Sequence, residues 1–291
     1  MKTLDHSSIK ALISLLEDPS EIIFKEINQT IIALGEDGIT HLQTAFDESN
    51  NNLQKERIAK ILDILKLQNL EKDLVDWKDF NRTNLLNGLL HIAKYGYPNL
   101  RVADVDRIIN DIATVLKEQI EGKTNLEIAH ALNQVVLYDF GFNGNIRDYS
   151  GINNSFINKV VENKIGNPIG LSIIYLLVAE KLNIPLIGIN SPGHFILGFV
   201  SSDYNTKKDT DLSIMDHIDF YIDPFNNGRI LNDIDFNSML KMANYNPSDK
   251  SNLAATKLDI IKRVMNNLIY ALFTTGEKRT AQELLEINDI L

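Results

Sequence analysis

The sequence predicts an α+β fold: a mainly helical protein with a small antiparallel sheet packed on a central helix and flanked by helical repeats. Three observations carry this reading. Apolar residues recur at helical spacing up to about residue 136 and again after Asp233. Short apolar runs bounded by Pro, Gly or Asn occur between residues 184 and 223. Just before them, Gly166-Asn167-Pro168 opens a helix, with proline at a first-turn position where its missing N–H costs nothing.

Leu12, Ile13, Leu15 and Leu16 lead to a break at Asp18-Pro19-Ser20. Ile22, Ile23, Ile27, Ile31 and Leu34 then recur as far as Gly35, followed by Ile39, Leu42 and Phe46, and by Leu53, Ile58, Ile61, Leu62 and Leu65. Leu16-Glu17-Asp18-Pro19 with Ala33-Leu34-Gly35 resembles a HEAT-type helix pair, and an unclassified helical bundle would carry similar caps and glycines. Residues 81–136 hold three more amphipathic helices. The first stops at Gly96-Tyr97-Pro98, and the second carries Val102, Val105, Ile108, Ile109, Ile112 and Leu116. Thr124 caps the third, with Glu127 completing a capping box. Strands are expected at 185–189, 194–200 and 219–223, with the polar stretch 201–210 as a hairpin tip. Leu258, Ile261, Met265, Leu268 and Leu272 mark a helix stopped at Gly276, and Ala281, Leu284 and Leu285 a last one.

The 291 residues carry 29 basic and 39 acidic side chains, a net charge of −10. Such a field repels phosphate backbones, and no basic patch offsets it, so no nucleic-acid partner is expected. Nothing near the start has the apolar length of a signal peptide, and no later run spans a bilayer, so a cytoplasmic protein without a membrane partner is expected. The chain contains no cysteine, which excludes disulfides, thiolate metal sites and thiol catalysis. No cofactor is expected.

A helix N-terminus followed by a strand histidine, His194, and a strand aspartate, Asp223, is the layout of a Cys-His-Asp acyl-transfer site. There the helix end lowers the thiol pKa, the histidine acts as base, and the aspartate fixes the imidazole tautomer. The nucleophile is missing from this chain.

The runs Gly141-Phe142-Asn143-Gly144-Asn145, Asn154-Ser155-Phe156-Ile157-Asn158 and Lys164-Ile165-Gly166-Asn167-Pro168-Ile169-Gly170-Leu171-Ser172 resemble the transglutaminase-like superfamily, with its papain-like core, and within it the branch of the SirB-type regulatory proteins. Pro192-Gly193-His194-Phe195 and Ile222-Asp223-Pro224-Phe225-Asn226-Asn227-Gly228 continue the pattern in order. The helical patterning gives residues 1–80 as a helical, HEAT-like region, and the superfamily resemblance implies 81–245 as the transglutaminase-like core and 246–291 as a C-terminal, tetratricopeptide-like hairpin. The resemblance also implies that Pro168 stands at the nucleophile position, because Leu182-Asn183-Ile184-Pro185 follows it at the spacing that catalytic members show from their cysteine. His194 and Asp223 match the rest of the triad.

Two serines could substitute. Ser172 lies one turn along the helix, about 6 Å from its start, where a small residue more simply packs helix on sheet. Ser155 more simply caps a helix over 156–163. His194 with Asp223 is either a structural clamp or part of a ligand pocket with the helix N-terminus. The favoured function is binding of a protein or peptide. Asn153, Asn154, Ser155, Asn158 and Asn167 would offer hydrogen bonds to it, and Phe142, Tyr149 and Phe195 apolar contact. Asparagines that merely cap turns are the plain alternative. The runner-up is a hydrolase or acyl-transferase using His194 and Asp223 with water or a serine. Asp203, Asp209, Asp211, Asp216 and Asp219 lack the glycine and final glutamate of a calcium loop. Nothing in the spacing of His217 and His194 compels a metal pair. His41, His91 and His130 read as helix-surface or packing residues, and Gly141 to Gly144 as a turn without the lysine of a phosphate loop.

Overall fold

A computed structural model describes residues 5–202, 204 and 212–291. Two compact units, Met1–Asp76 and Trp77–Leu291, divide the chain.

The first unit holds α1 (His6–Ser14), α2 (Glu21–Ile32), α3 (Glu36–Glu48) and α4 (Asn52–Asp76). Ile13, Leu16, Ile31, Leu42, Ile58 and Ile61 form its core, which is the apolar stripe of each helix turned inward. The break at Asp18-Pro19-Ser20 ends in Ser20, whose side chain caps α2. Arg57 of α4 is 3% exposed and ties this turn down. Its guanidinium donates to the carbonyls of Leu16 (3.2 Å) and Asp18 and meets the Glu21 carboxylate at 2.7 Å. A buried cation is tolerated here because two carbonyls and a carboxylate accept from it and the Phe24 ring covers one face.

The second unit begins with a π-turn, Trp77–Asn81, and continues through α5 (Leu85–Gly96), α6 (Val102–Ile120) and α7 (Asn125–Asn133). Thr124 and Glu127 cap α7 reciprocally. Two-residue strands β1 (Asn143–Gly144) and β2 (Ile165–Gly166) pair in parallel, with α8 (Ile157–Asn163) between them in sequence. Then come α9 (Pro168–Leu182), β3 (Leu186–Ile189), β4 (Ile196–Val200), β5 (Ile218–Asp223), β6 (Arg229–Leu231), α10 (Asp233–Met242), β7 (Ala254–Ala255), α11 (Lys257–Thr275) and α12 (Lys278–Ile290). The five-stranded sheet runs β6-β5-β4-β3-β7, antiparallel throughout.

Helix α9 packs on β3 and β4 and is apolar all round, as a helix buried on every side must be. Its buried phenol, Tyr175, donates to Asn133 Oδ1 at 2.9 Å, and Asn133 Nδ2 donates to the Gly228 carbonyl at 2.7 Å. Burial raises the Tyr175 phenol far above its ordinary value, so it remains a donor.

The strands differ from the sequence expectation at their ends. β4 starts at Ile196, so His194 precedes the strand rather than lying in it. β1, β2, β6 and β7 lie outside the expected strands, being two or three residues long with no readable alternation. Most of the hairpin tip expected at 201–210, with Asp203, Asp209 and Asp211, lies outside the described residues. Among the described residues no helix is long and apolar enough to cross a membrane.

Candidate functional site

Asp223 is the last residue of β5, and the β4–β5 register pairs Leu197 with Ile222. One step further along that register, Asp223 faces Ile196, and His194 sits two positions earlier on the same side. Gly193, at φ +69°, turns the chain there, a conformation that side chains resist even though open space surrounds it. His194 Nε2 lies 2.9 Å from Asp223 Oδ2. Asn226 donates its backbone N–H to Oδ1 at 3.3 Å and its side-chain amide to Oδ2 at 2.7 Å. Asp223 is 3% exposed. Burial pushes its carboxyl up, but the hydrogen bond and charge of His194 and the two Asn226 donors outweigh it and hold it below the ordinary carboxylate value. A carboxylate can only accept, so Nε2 carries a proton and Nδ1 is the nitrogen left for other work. Phe225 packs edge-on to the His194 ring at 6.2 Å and to Tyr149 at 5.5 Å.

Asn167 caps α9, its Oδ1 accepting the Gly170 N–H at 2.9 Å while its carbonyl takes the Leu171 N–H at 3.0 Å. Pro168, first in the helix, has no N–H. The Ile169 N–H is therefore the first-turn donor that no acceptor among the described residues takes.

These elements border a cavity of about 100 Å³. Asn167, Pro168 and Ile169 line one side, His194 and Phe195 a second, Tyr149 and Ser155 a third, and Arg263, Asn267 and Tyr270 of α11 the last. Arg263 Nη1 donates to Asn190 Oδ1 at 2.9 Å, and burial lowers the guanidinium pKa, with Tyr149 opposing it. Burial likewise raises the Tyr149 phenol, Arg263 opposing and Asp223 adding to the rise. The arrangement offers an oriented imidazole and several N–H and O–H donors, and no nucleophilic side chain at the helix start.

The remaining candidates are spread more widely. Ser172 is fully buried, with its hydroxyl 3.5 Å from the Phe195 carbonyl, and lies between helix and sheet. Ser155 does not cap α8: the cap is Phe156, without a side-chain bond, and Ser155 ends a 3-10 turn, Ile152–Ser155, facing the cavity. Asn154 is 4% exposed and engaged internally. It donates to the carbonyls of Asp148 (2.8 Å) and Tyr149 (3.1 Å) and accepts from Asn145 at 3.0 Å, which folds the 145–149 loop around it. Asn153 accepts from the Tyr97 hydroxyl at 2.7 Å. Asn158 lines a different cavity, of about 650 Å³, with Tyr97, Leu100 and Ile108; its Oδ1 is buried without a partner among the described residues. Phe142 is fully buried, whereas Tyr149 is 44% exposed. His217 stacks on Tyr204 at 4.6 Å rather than joining His194. Among the described residues no three His, Cys, Asp or Glu side chains converge as a metal site would need.

Sequence reasoning missed Arg263, Asn267 and Tyr270. They stand at i, i+4 and i+7 on α11, a polar line beside the apolar stripe, and that line was the available signal.

The profile of the transglutaminase-like superfamily matches residues 103–266. The chain is 33% identical to a UPF0162 protein of Xylella fastidiosa over 149 residues, 50% of this chain and 48% of that protein. A UPF0162 protein of Vibrio cholerae is 27% identical over 124 residues, 41% of this chain and 45% of the relative. F-box only protein 21 of Homo sapiens is 24% identical over 235 residues, 73% of this chain and 35% of that protein. The chain thus spans about half the length of the bacterial relatives and a third of the human one. No solved structure matches it.

Proposed function

The chain belongs to the transglutaminase-like superfamily, and from that premise we propose that it is a non-catalytic member of the SirB-type branch that binds a protein or peptide at a degenerate Cys-His-Asp site. The observation that carries this is Pro168 at the first position of α9, bordering the same cavity as His194. Proline there removes two things at once: the thiol, and the backbone N–H that a nucleophile residue lends to an oxyanion. The His194–Asp223 pair remains as an oriented donor-acceptor unit, with Asn167, Ser155 and Phe195 beside it. Asn153 and Asn154 shape the neighbouring loop, and Asn158 serves the second cavity. The helices of residues 1–80 as HEAT-like repeats and the α11–α12 pair as a tetratricopeptide-like hairpin fit a protein that presents surfaces to a partner. The test is affinity capture with wild type and with His194→Ala, each checked by thermal melting. A partner lost without a lower Tm supports recognition at this cavity; an unchanged partner set removes it.

One observation favours a second reading. Ser155 is 5% exposed and borders the cavity with His194, as a serine nucleophile of a hydrolase or acyl-transferase would. Labelling by a fluorophosphonate probe in wild type but not in Ser155→Ala would establish that enzyme and end the non-catalytic reading.

A further inference from the structure

Arg263 differs from the buried Arg57 in its partners. Arg57 meets two carbonyls and a carboxylate. Arg263 is half-buried against the cavity of about 100 Å³, and Asn190, a neutral amide, is its one hydrogen-bond partner among the described residues. No carboxylate among them lies within ion-pair distance, in a chain with 39 acidic residues to draw on. A guanidinium has five N–H donors in a planar fork that matches a carboxylate, and a desolvated cation without a counter-ion is costly. The remaining polar wall is rich in donors: the Ile169 N–H, the Asn267 amide and the hydroxyls of Ser155, Tyr149 and Tyr270. The nearby anion, Asp223, is taken by His194 and Asn226.

We propose that this cavity holds the C-terminal carboxylate of a peptide, paired with the Arg263 guanidinium. The inference rests on the peptide-binding reading above and adds which part of the peptide enters. A volume of about 100 Å³ admits only a few heavy atoms, so it takes a chain end rather than a strand passing through. Tyr149 and Tyr270, 44% and 58% exposed, stand at the mouth, where the preceding residues would lie.

The test uses the full chain and a pool of acetylated pentapeptides, made once with a free C-terminus and once amidated. Titrations follow the Arg263 Nε–Hε resonance and the Tm, with sodium acetate as a third ligand. The acid pool should bind about ten- to a hundredfold more tightly than the amide pool, the loss expected for one charge-assisted pair. Arg263→Gln should abolish that preference. Equal binding of acid and amide pools in wild type overturns the carboxylate inference and leaves peptide binding standing, and it requires no variant to fold. Acetate binding as tightly as the acid pool overturns the peptide part, showing a small-carboxylate site. Binding of none of the three overturns the proposal outright.

Discussion

At Asp223 two opposing effects of the same burial meet: desolvation raises the carboxyl, and the hydrogen bonds that burial makes possible lower it further. The net depression fixes the sign of its pH dependence. A group whose folded pKa is depressed stabilises above its unfolded pKa, about 3.9, and loses that contribution as pH falls through the folded value. Asp223→Asn should therefore lower Tm near neutrality, and the gap to wild type should close below about pH 4. A gap independent of pH would mean that charge plays no part. Pro168 gives a second prediction. In Pro168→Cys the helix end and His194 both favour thiolate, so the rate of alkylation should titrate well below the unperturbed value of about 8.5; titration at that value would show that this position is not the nucleophile's. Asn154→Ala should cost roughly 1–3 kcal/mol in denaturant unfolding, because it leaves buried loop carbonyls without donors. These residues also mark what a sequence can say. His194 and Asp223 were legible because strand patterns and turn residues surround them. The engagement of Asn154 by its own loop was not, since the same asparagine could equally face solvent until the chain closes around it.

Elements were legible where local chemistry decides them. The capping box at Thr124, the left-handed stop at Asn183 and the proline opening α9 act within one turn, and the helix follows. β6 and β7 were invisible because three or two residues have no period; they exist only because β5 and β3 offer an edge. The polar line of α11 reads locally as a solvated face, and only packing against residues about a hundred positions away turns it toward a cavity. Close packing between elements yields a further prediction. A Cβ on Gly88 of α5 would meet the Trp77 ring at 2.8 Å and Ile261 of α11 at 2.9 Å. Gly-to-Ala changes inside helices ordinarily gain about 1 kcal/mol. Here overpacking, roughly 1–3 kcal/mol, should win, and Gly88→Ala should melt below wild type.

Across the whole molecule the superfamily match, residues 103–266, lies inside the second unit, and each unit has a core of its own. A fragment of residues 77–291 should accordingly fold by itself and keep the His194–Asp223 pair, visible as His194 ring NMR resonances at the positions they hold in the full chain. A molten fragment would show that the second unit depends on the first. The sole tryptophan of the chain, Trp77, sits at the beginning of this unit, 2% exposed, with its indole N–H on the Asn84 carbonyl at 2.7 Å. Its indole is thus a chromophore built into the second unit, with Gly88 and Ile261 beside it there. Excited selectively, it should shift to the red when the second unit unfolds, while circular dichroism reports the helices of both. Superimposed melts by the two signals would mean a single cooperative transition; separated ones would time the two units independently, with no label added.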